Sequence, residues 1–300
     1  MKAVLLMAYG SPASMDGVEA YYTHIRGGRK PTPEQLKDLT DRYAAIGGPS
    51  PLLRITQAQA GALQSSLRRS GSTTRVYAGM KHSEPFIAEL VGKAKSEGAA
   101  DLLCVALAPH YSGISIGGYI KAAEEGNKGP GGALRLTFVK SWHRNPRLVD
   151  LWAERVKSLT SKAGQGAEVV FSAHSLPERI VSEGDPYRDQ LMETSRLVAE
   201  KAGCHDWSFA FQSASGTGEP WLGPDILQHL QARFDAGKRS FILAPIGFVS
   251  DHLEILYDLD VECRQWAKRT GAALSRCDSP NDSPDFIECL RSVVEENGFV

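Results

Sequence analysis

Val169-Val170-Phe171-Ser172-Ala173-His174-Ser175-Leu176-Pro177 is an apolar run that breaks abruptly into a polar turn. It is short and does not alternate between polar and apolar residues. That is the signature of a strand covered on both faces. Near the N-terminus, Leu5-Leu6-Met7-Ala8-Tyr9-Gly10-Ser11-Pro12 has the same form. Working outward, comparable runs occupy residues 4–8, 74–80, 101–108, 134–139, 168–173, 207–212, 240–245 and 272–276. Between them, residues 57–69, 85–97, 147–161, 188–202, 225–236 and 285–296 have helical periodicity. Strands alternating with helices predict an α/β chain with parallel sheets and crossover helices.

The runs also repeat in order. Lys81-His82-Ser83-Glu84-Pro85-Phe86 has a counterpart in Gly218-Glu219-Pro220-Trp221, and Leu107-Ala108-Pro109-His110 in Leu243-Ala244-Pro245-Ile246. The expected architecture is therefore two similar Rossmann-like halves, residues 1–143 and 144–300, facing across a central cleft. Each half is a four-stranded parallel sheet with flanking helices, and the terminal helix at 285–300 is expected to pack back on the first half. Ligands of such sheets sit beyond the carboxyl ends of the strands. That directs attention to Tyr9, Lys81, His82, His110, His174 and the segment 251–262.

Composition narrows the function. Lys+Arg 34 against Asp+Glu 35 gives a net charge of −1, which argues against nucleic acid or an anionic membrane surface as partner. No apolar stretch approaches the roughly 20 residues of a membrane helix, and no secretory leader is legible, so a cytoplasmic chain is expected. The five cysteines (Cys104, Cys204, Cys263, Cys277 and Cys289) are odd in number and lack CxxC spacing. Disulfides, zinc ribbons and iron–sulfur clusters are therefore not expected. Nucleotide binding and serine hydrolysis are not expected: GxGxxG, GxxxxGK[ST] and HExxH are missing, and the glycine cluster at residues 113–118 fits no dinucleotide or Walker pattern.

Three features bear chemistry. Asp251-His252-Leu253-Glu254-Ile255-Leu256-Tyr257-Asp258-Leu259-Asp260-Val261-Glu262-Cys263 sets Glu254, Asp258 and Glu262 four residues apart, on one face of an α-helix. Such a stripe is either a solvated acidic face or, since the rest of the segment is apolar, a row that takes a divalent cation. His174, at a strand end, is either structural or a metal ligand or proton acceptor. Tyr9 holds the equivalent place in the first half. The third feature is Tyr21-Tyr22-Thr23-His24-Ile25-Arg26-Gly27-Gly28-Arg29-Lys30-Pro31, followed by Arg42-Tyr43 and Gly47-Gly48-Pro49-Ser50-Pro51. It reads as an exposed basic loop or as a clamp for carboxylates on a flat apolar ligand.

Taken together, these motifs resemble the ferrochelatases, most closely the short monofunctional bacterial type that inserts iron into coproporphyrin III. The match also rests on Gly79-Met80-Lys81-His82, Leu107-Ala108-Pro109-His110-Tyr111-Ser112, Pro220-Trp221-Leu222-Gly223-Pro224-Asp225 and Gly247-Phe248-Val249-Ser250-Asp251-His252-Leu253-Glu254. The resemblance implies catalytic roles for His174, Glu254 and Tyr9, with His174 and Glu254 on one face of the macrocycle and Tyr9 on the other. It implies a metal path of His174, Glu254, Asp258 and Glu262 with Arg42 nearby. It implies porphyrin contacts from Tyr9, Arg26, Arg42, Tyr43, Ser50, Tyr119, Lys81, His82 and Trp221. Gly27-Gly28 departs from the family pattern, which often has another arginine there. Fe2+ and a porphyrin are the implied substrates of a monomeric lyase in haem biosynthesis, with a haem-accepting enzyme as a further partner. Rival readings are a protoporphyrin IX ferrochelatase, a chelatase for cobalt or another tetrapyrrole, and a haem or metal carrier.

Overall fold

The computed structural model describes residues 1–129, 134–163, 166–215 and 218–300. They divide into two units. Unit 1 comprises Met1–Trp142, Ser250–His252 and Asn281–Val300, and unit 2 comprises His143–Val249 and Leu253–Pro280.

Unit 1 holds strands β1 (Lys2–Ala8), β2 (Arg75–Met80), β3 (Asp101–Ala106) and β4 (Arg135–Val139) in the order β2-β1-β3-β4, with every pairing parallel. Its helices are α1 (Val18–Ile25), α2 (Pro33–Ala45), α3 (Leu52–Arg69), α4 (Ile87–Ser96) and α5 (Ile116–Asn127). Ala3, Leu5 and Met7 point to one face of β1 and are buried against Ile87 and Val91 of α4 and Ile116 and Ala123 of α5. α3 packs on β1 and β2, and also on the terminal helix α11 (Pro284–Glu296).

Unit 2 repeats the plan. Strands β5 (Glu168–His174), β6 (Trp207–Gln212), β7 (Ser240–Ala244) and β8 (Ala273–Arg276) run in the order β6-β5-β7-β8, again all parallel. Helices α6 (Pro146–Ala163), α7 (Arg179–Ser182), α8 (Tyr187–Ala202), α9 (Ile226–Asp235) and α10 (Arg264–Thr270) accompany it. Directly before α10, Ile255–Cys263 forms a π-helix.

The sheet register corrects how the two repeats align. Met80 pairs with Ala8 and bridges to Phe86, while Phe211 pairs with Ala173 and bridges to Asp225. Met80 N–H donates to the Pro85 carbonyl and Phe211 N–H to that of Pro224, each at 2.8 Å. Pro85 therefore matches Pro224, not Pro220. By the same register Ala244 matches Val105, not Ala108. String similarity follows side chains, whereas equivalence in a sheet is set by backbone pairing. Tyr9 and His174 come out as equivalents, each following a matched alanine at a strand end.

Helix α11 is part of unit 1's core. Phe286 is 0% exposed and its ring lies 6.2 Å from that of Trp142. Phe286→Ala should therefore cost about 3–5 kcal/mol, the usual range for removing a buried aromatic ring. A urea unfolding midpoint that barely moves, with an unchanged slope, would show that α11 only rests on the surface.

Candidate active site

Each sheet ends in a cluster of polar side chains at its carboxyl edge. In unit 1 the loops after β1 and β2 are zipped together: Lys81 N–H donates to the Ala8 carbonyl, His82 N–H to that of Tyr9, and Ser11 N–H to Ser83 Oγ. Gly10 makes this possible. Its φ is +103°, and a Cβ there would lie 2.7 Å from Ser83 Oγ. The zip gathers Tyr9, Lys81 and His82. The Tyr9 and His82 rings are 4.6 Å apart, and Lys81 Nζ lies 5.9 Å from the Tyr9 ring and 5.6 Å from that of Tyr119. His82 Nδ1 meets His24 Nδ1 at 3.1 Å, a contact that needs one donor and one acceptor. Burial, with the charges of Lys81 and His24, pushes the His82 pKa down to about 4, and burial also lowers that of Lys81.

The basic segment differs from a loop. Tyr21 to Ile25 are helical, in α1, which ends at Arg26 with its guanidinium 5.5 Å from the Tyr22 ring. Lys30 pairs with Glu19 at 3.4 Å, and Arg42 with Asp38 at 3.1 Å along α2. Tyr43 is 2% exposed, so its ring packs in the core instead of offering the stacking face expected of it. Ser50 Oγ accepts the N–H of Leu52 at the start of α3. His110 is likewise buried. Glu19, Thr23, His24, Gly27 and Gly28 help line an open cavity of about 800 Å³ against α1.

In unit 2, β5 ends at His174 and β6 at Gln212, register partners in the ladder. Nδ1 of His174 is bonded to the Ser175 carbonyl, Tyr187 Oη donates to the His174 carbonyl at 2.9 Å, and the Trp221 ring stands 6.3 Å away. Nε2 of His174 is thereby left facing Glu254 Oε1 at 3.4 Å. Gly247, after β7, lies directly against β5, where a Cβ would come 2.4 Å from Ala173 Cβ. This tight packing fixes the backbone that carries His174.

The acidic segment is a π-helix, with i→i+5 bonding, where its spacing predicts an α-helix. Ile255, Leu259 and Cys263, also four apart, are buried against Val170, Ala210, Phe241 and Leu243. Four residues overshoot an α-helical turn by 40°, so a core that engages every fourth residue favours a wider winding. The acidic row one residue earlier keeps to a single face for the same reason. It is not a solvated face: Asp258 is 6% exposed and accepts from Ser213 Oγ, and Gln212 Nε2 donates to the Glu254 carbonyl at 2.9 Å. Asp260 points elsewhere and is held by Arg276 at 2.8 Å. Glu262 is half-buried farther along. His174 meets Glu254, and Asp258 and Glu262 follow at steps of four residues; among the described residues no three His, Cys, Asp or Glu side chains converge as a metal cage. Gln212 and Ser213 escaped the sequence reading, although Gln212 ends β6 just as His174 ends β5 and Ser213 follows it directly.

Comparison with known proteins places these clusters in context. A family model described as Ferrochelatase matches residues 1–298. A coproporphyrin III ferrochelatase of Geobacillus sp. (strain WCH70) is 45% identical over 97% of this chain and 96% of the relative. A coproporphyrin III ferrochelatase of Bacillus subtilis is 44% identical, over 97% of this chain and 96% of the relative. A ferrochelatase of Herpetosiphon aurantiacus is 43% identical over 97% of both chains. Among solved structures, SirB from Bacillus subtilis with Fe3+ superposes with a TM-score of 0.63 at 12% identity, covering 100% of this chain and 99% of SirB. That last likeness concerns the fold.

His174 responds to opposing forces. Burial favours its neutral form, but the Glu254 carboxylate, the bond to Ser175 and the charge of Asp258 outweigh burial and raise its pKa to about 9. The stabilisation this charge pair gives is full below an unfolded-state value of about 6.5. It is lost as pH rises through about 9. NMR titration of the His174 ring in the ligand-free protein should give a midpoint near 9, and Glu254→Gln should lower it. A wild-type midpoint at or below the ordinary histidine value would refute the pairing.

Proposed function

The chain belongs to the ferrochelatase family, and on that premise we propose that it inserts Fe2+ into coproporphyrin III, as a cytoplasmic monomer that passes its product to a haem-accepting enzyme. The observation that carries the reaction is the His174–Glu254 contact at a strand end, at the head of a partly buried acidic row. Insertion exchanges water on Fe2+ for four ring nitrogens and releases two pyrrole protons. Glu254 gives the ion an oxygen ligand and a negative charge beside a group able to hold a proton. His174, once its own proton has left, offers Nε2 either to the metal or to a pyrrole proton. Asp258 and Glu262 feed the pair. Among the described residues no helix is long and apolar enough to cross a membrane.

Substrate choice rests on the relatives' names and on cations. Coproporphyrin III has four propionates and protoporphyrin IX has two. Lys30 and Arg42 already hold carboxylates. Arg26, Arg29 and Lys81 make no ion pair with a carboxylate among the described residues; Arg26 and Lys81 lie over tyrosine rings. Three uncommitted cations, with Ser50 and Tyr119, exceed what two propionates need. A desolvated cation left without its carboxylate costs roughly 2–5 kcal/mol, and less at a wet rim. Tyr9, His82 and Trp221 complete the ring contacts in this reading. Binding at the propionates is remote from the reacting nitrogens and so can offset the cost of bending the ring there.

Glu254→Gln keeps shape and removes charge, so turnover should fall roughly 100-fold or more while porphyrin affinity, read by fluorescence quenching, changes little. Glu262→Gln should instead raise the Fe2+ concentration required. Equal effects of both variants on porphyrin binding would make the acidic row structural. In anaerobic assays run in parallel, coproporphyrin III should be metallated more efficiently than protoporphyrin IX, and Arg26→Ala should narrow that difference. Equal efficiency on both would remove the tetracarboxylate assignment, and haem binding without faster metallation would mark a carrier.

A further inference from the structure

The loop after β6 begins with a residue in an uncommon conformation. Ser213 has φ +62°, in the left-handed region that residues other than glycine seldom occupy. Such backbones persist where surrounding bonds over-determine them, often beside functional groups. The hydroxyl of Ser213 donates to Asp258 Oδ2. Gln212, immediately before it and 1% exposed, accepts from Ser172 Oγ at 3.0 Å through its amide oxygen. Its amide nitrogen donates to the Glu254 carbonyl at 2.9 Å and lies 3.5 Å from Asp258 Oδ2. One dipeptide thus grips the first turn of the π-helix at its start and at its first buried carboxylate. Burying a carboxylate is costly unless donors reach it, and these are such donors. The second non-glycine residue with positive φ among the described residues, Asn281, holds the segment just upstream: its side chain exchanges two bonds of 2.8 Å with Asp251.

We propose that Gln212 and Ser213 are positioning residues for metal insertion. They hold Asp258 and the first π-helical turn so that Glu254 stays in reach of His174 while the ion is handed along the row. The inference rests on the proposed ferrochelatase reaction. Groups that orient metal-handling side chains typically contribute roughly 10- to 100-fold to metal use.

The test is anaerobic steady-state kinetics with coproporphyrin III, varying Fe2+ and porphyrin in turn. Ser213→Ala and Ser213→Gly should each raise the KM for Fe2+ roughly 10-fold, with the porphyrin KM almost unchanged. Glycine relaxes the left-handed backbone, so Ser213→Gly separates the hydroxyl from strain and carries the test by itself if the alanine variant folds poorly. In an Asp258→Asn background, Ser213→Ala should add little, as expected of side chains acting through one bond. Wild-type KM for Fe2+ in both variants, recovery by glycine alone, or full additivity with Asp258→Asn overturns the inference. A wild-type chain that metallates neither porphyrin overturns the functional reading and this inference with it, whereas an active wild type with unaltered variants overturns the inference alone.

Discussion

The parallel pairing of β5 with β6 sets His174 level with Gln212, and the chemistry of unit 2 depends on that register. A slip of one residue would turn His174 to the other face of the sheet and remove Gln212 from the π-helix. In register, the ladder delivers an imidazole and an amide side by side. The imidazole meets Glu254 at 3.4 Å, and the amide ties the backbone that carries Glu254. Gly247 against Ala173 leaves this edge little room to shift.

Unit 1 uses the same edge for a different purpose. The register equivalent of His174 is Tyr9, 42% exposed. Around it stand a neutral histidine and a lysine without a carboxylate, where unit 2 has an imidazole among carboxylates. One scaffold, duplicated, therefore presents a basic and aromatic edge in one copy and an acidic edge in the other.

The eight strands were legible in the sequence to within about two residues at each end, because strands buried on both faces are continuous apolar runs. His174 and Glu254 were each legible as candidates, since both fall where strand-end loops gather, and their pairing was what the family resemblance implied. The helix α1 was not: Tyr21 to Ile25 is rich in aromatic and β-branched residues and leads into two glycines, which reads as a loop. Tyr43 looked like a ligand-stacking residue because it follows Arg42 in a cluster of cations, aromatic residues and glycines, yet α2 turns it into the core. Gln212 and Ser213 carry no charge or motif, so nothing local marks them.

By itself the sequence determined the alternation of strands and helices, the order of the repeat and the spacing of Glu254, Asp258 and Glu262. Those follow from local periodicity, which each segment carries within itself. Tertiary structure alone decided that Ile255–Cys263 winds as a π-helix, that Asp258 is buried, and that Pro85 matches Pro224. Each of these depends on a partner far away in the chain: the apolar face of β5 and β7, the hydroxyl of Ser213, and the backbone hydrogen bonds of the neighbouring strand.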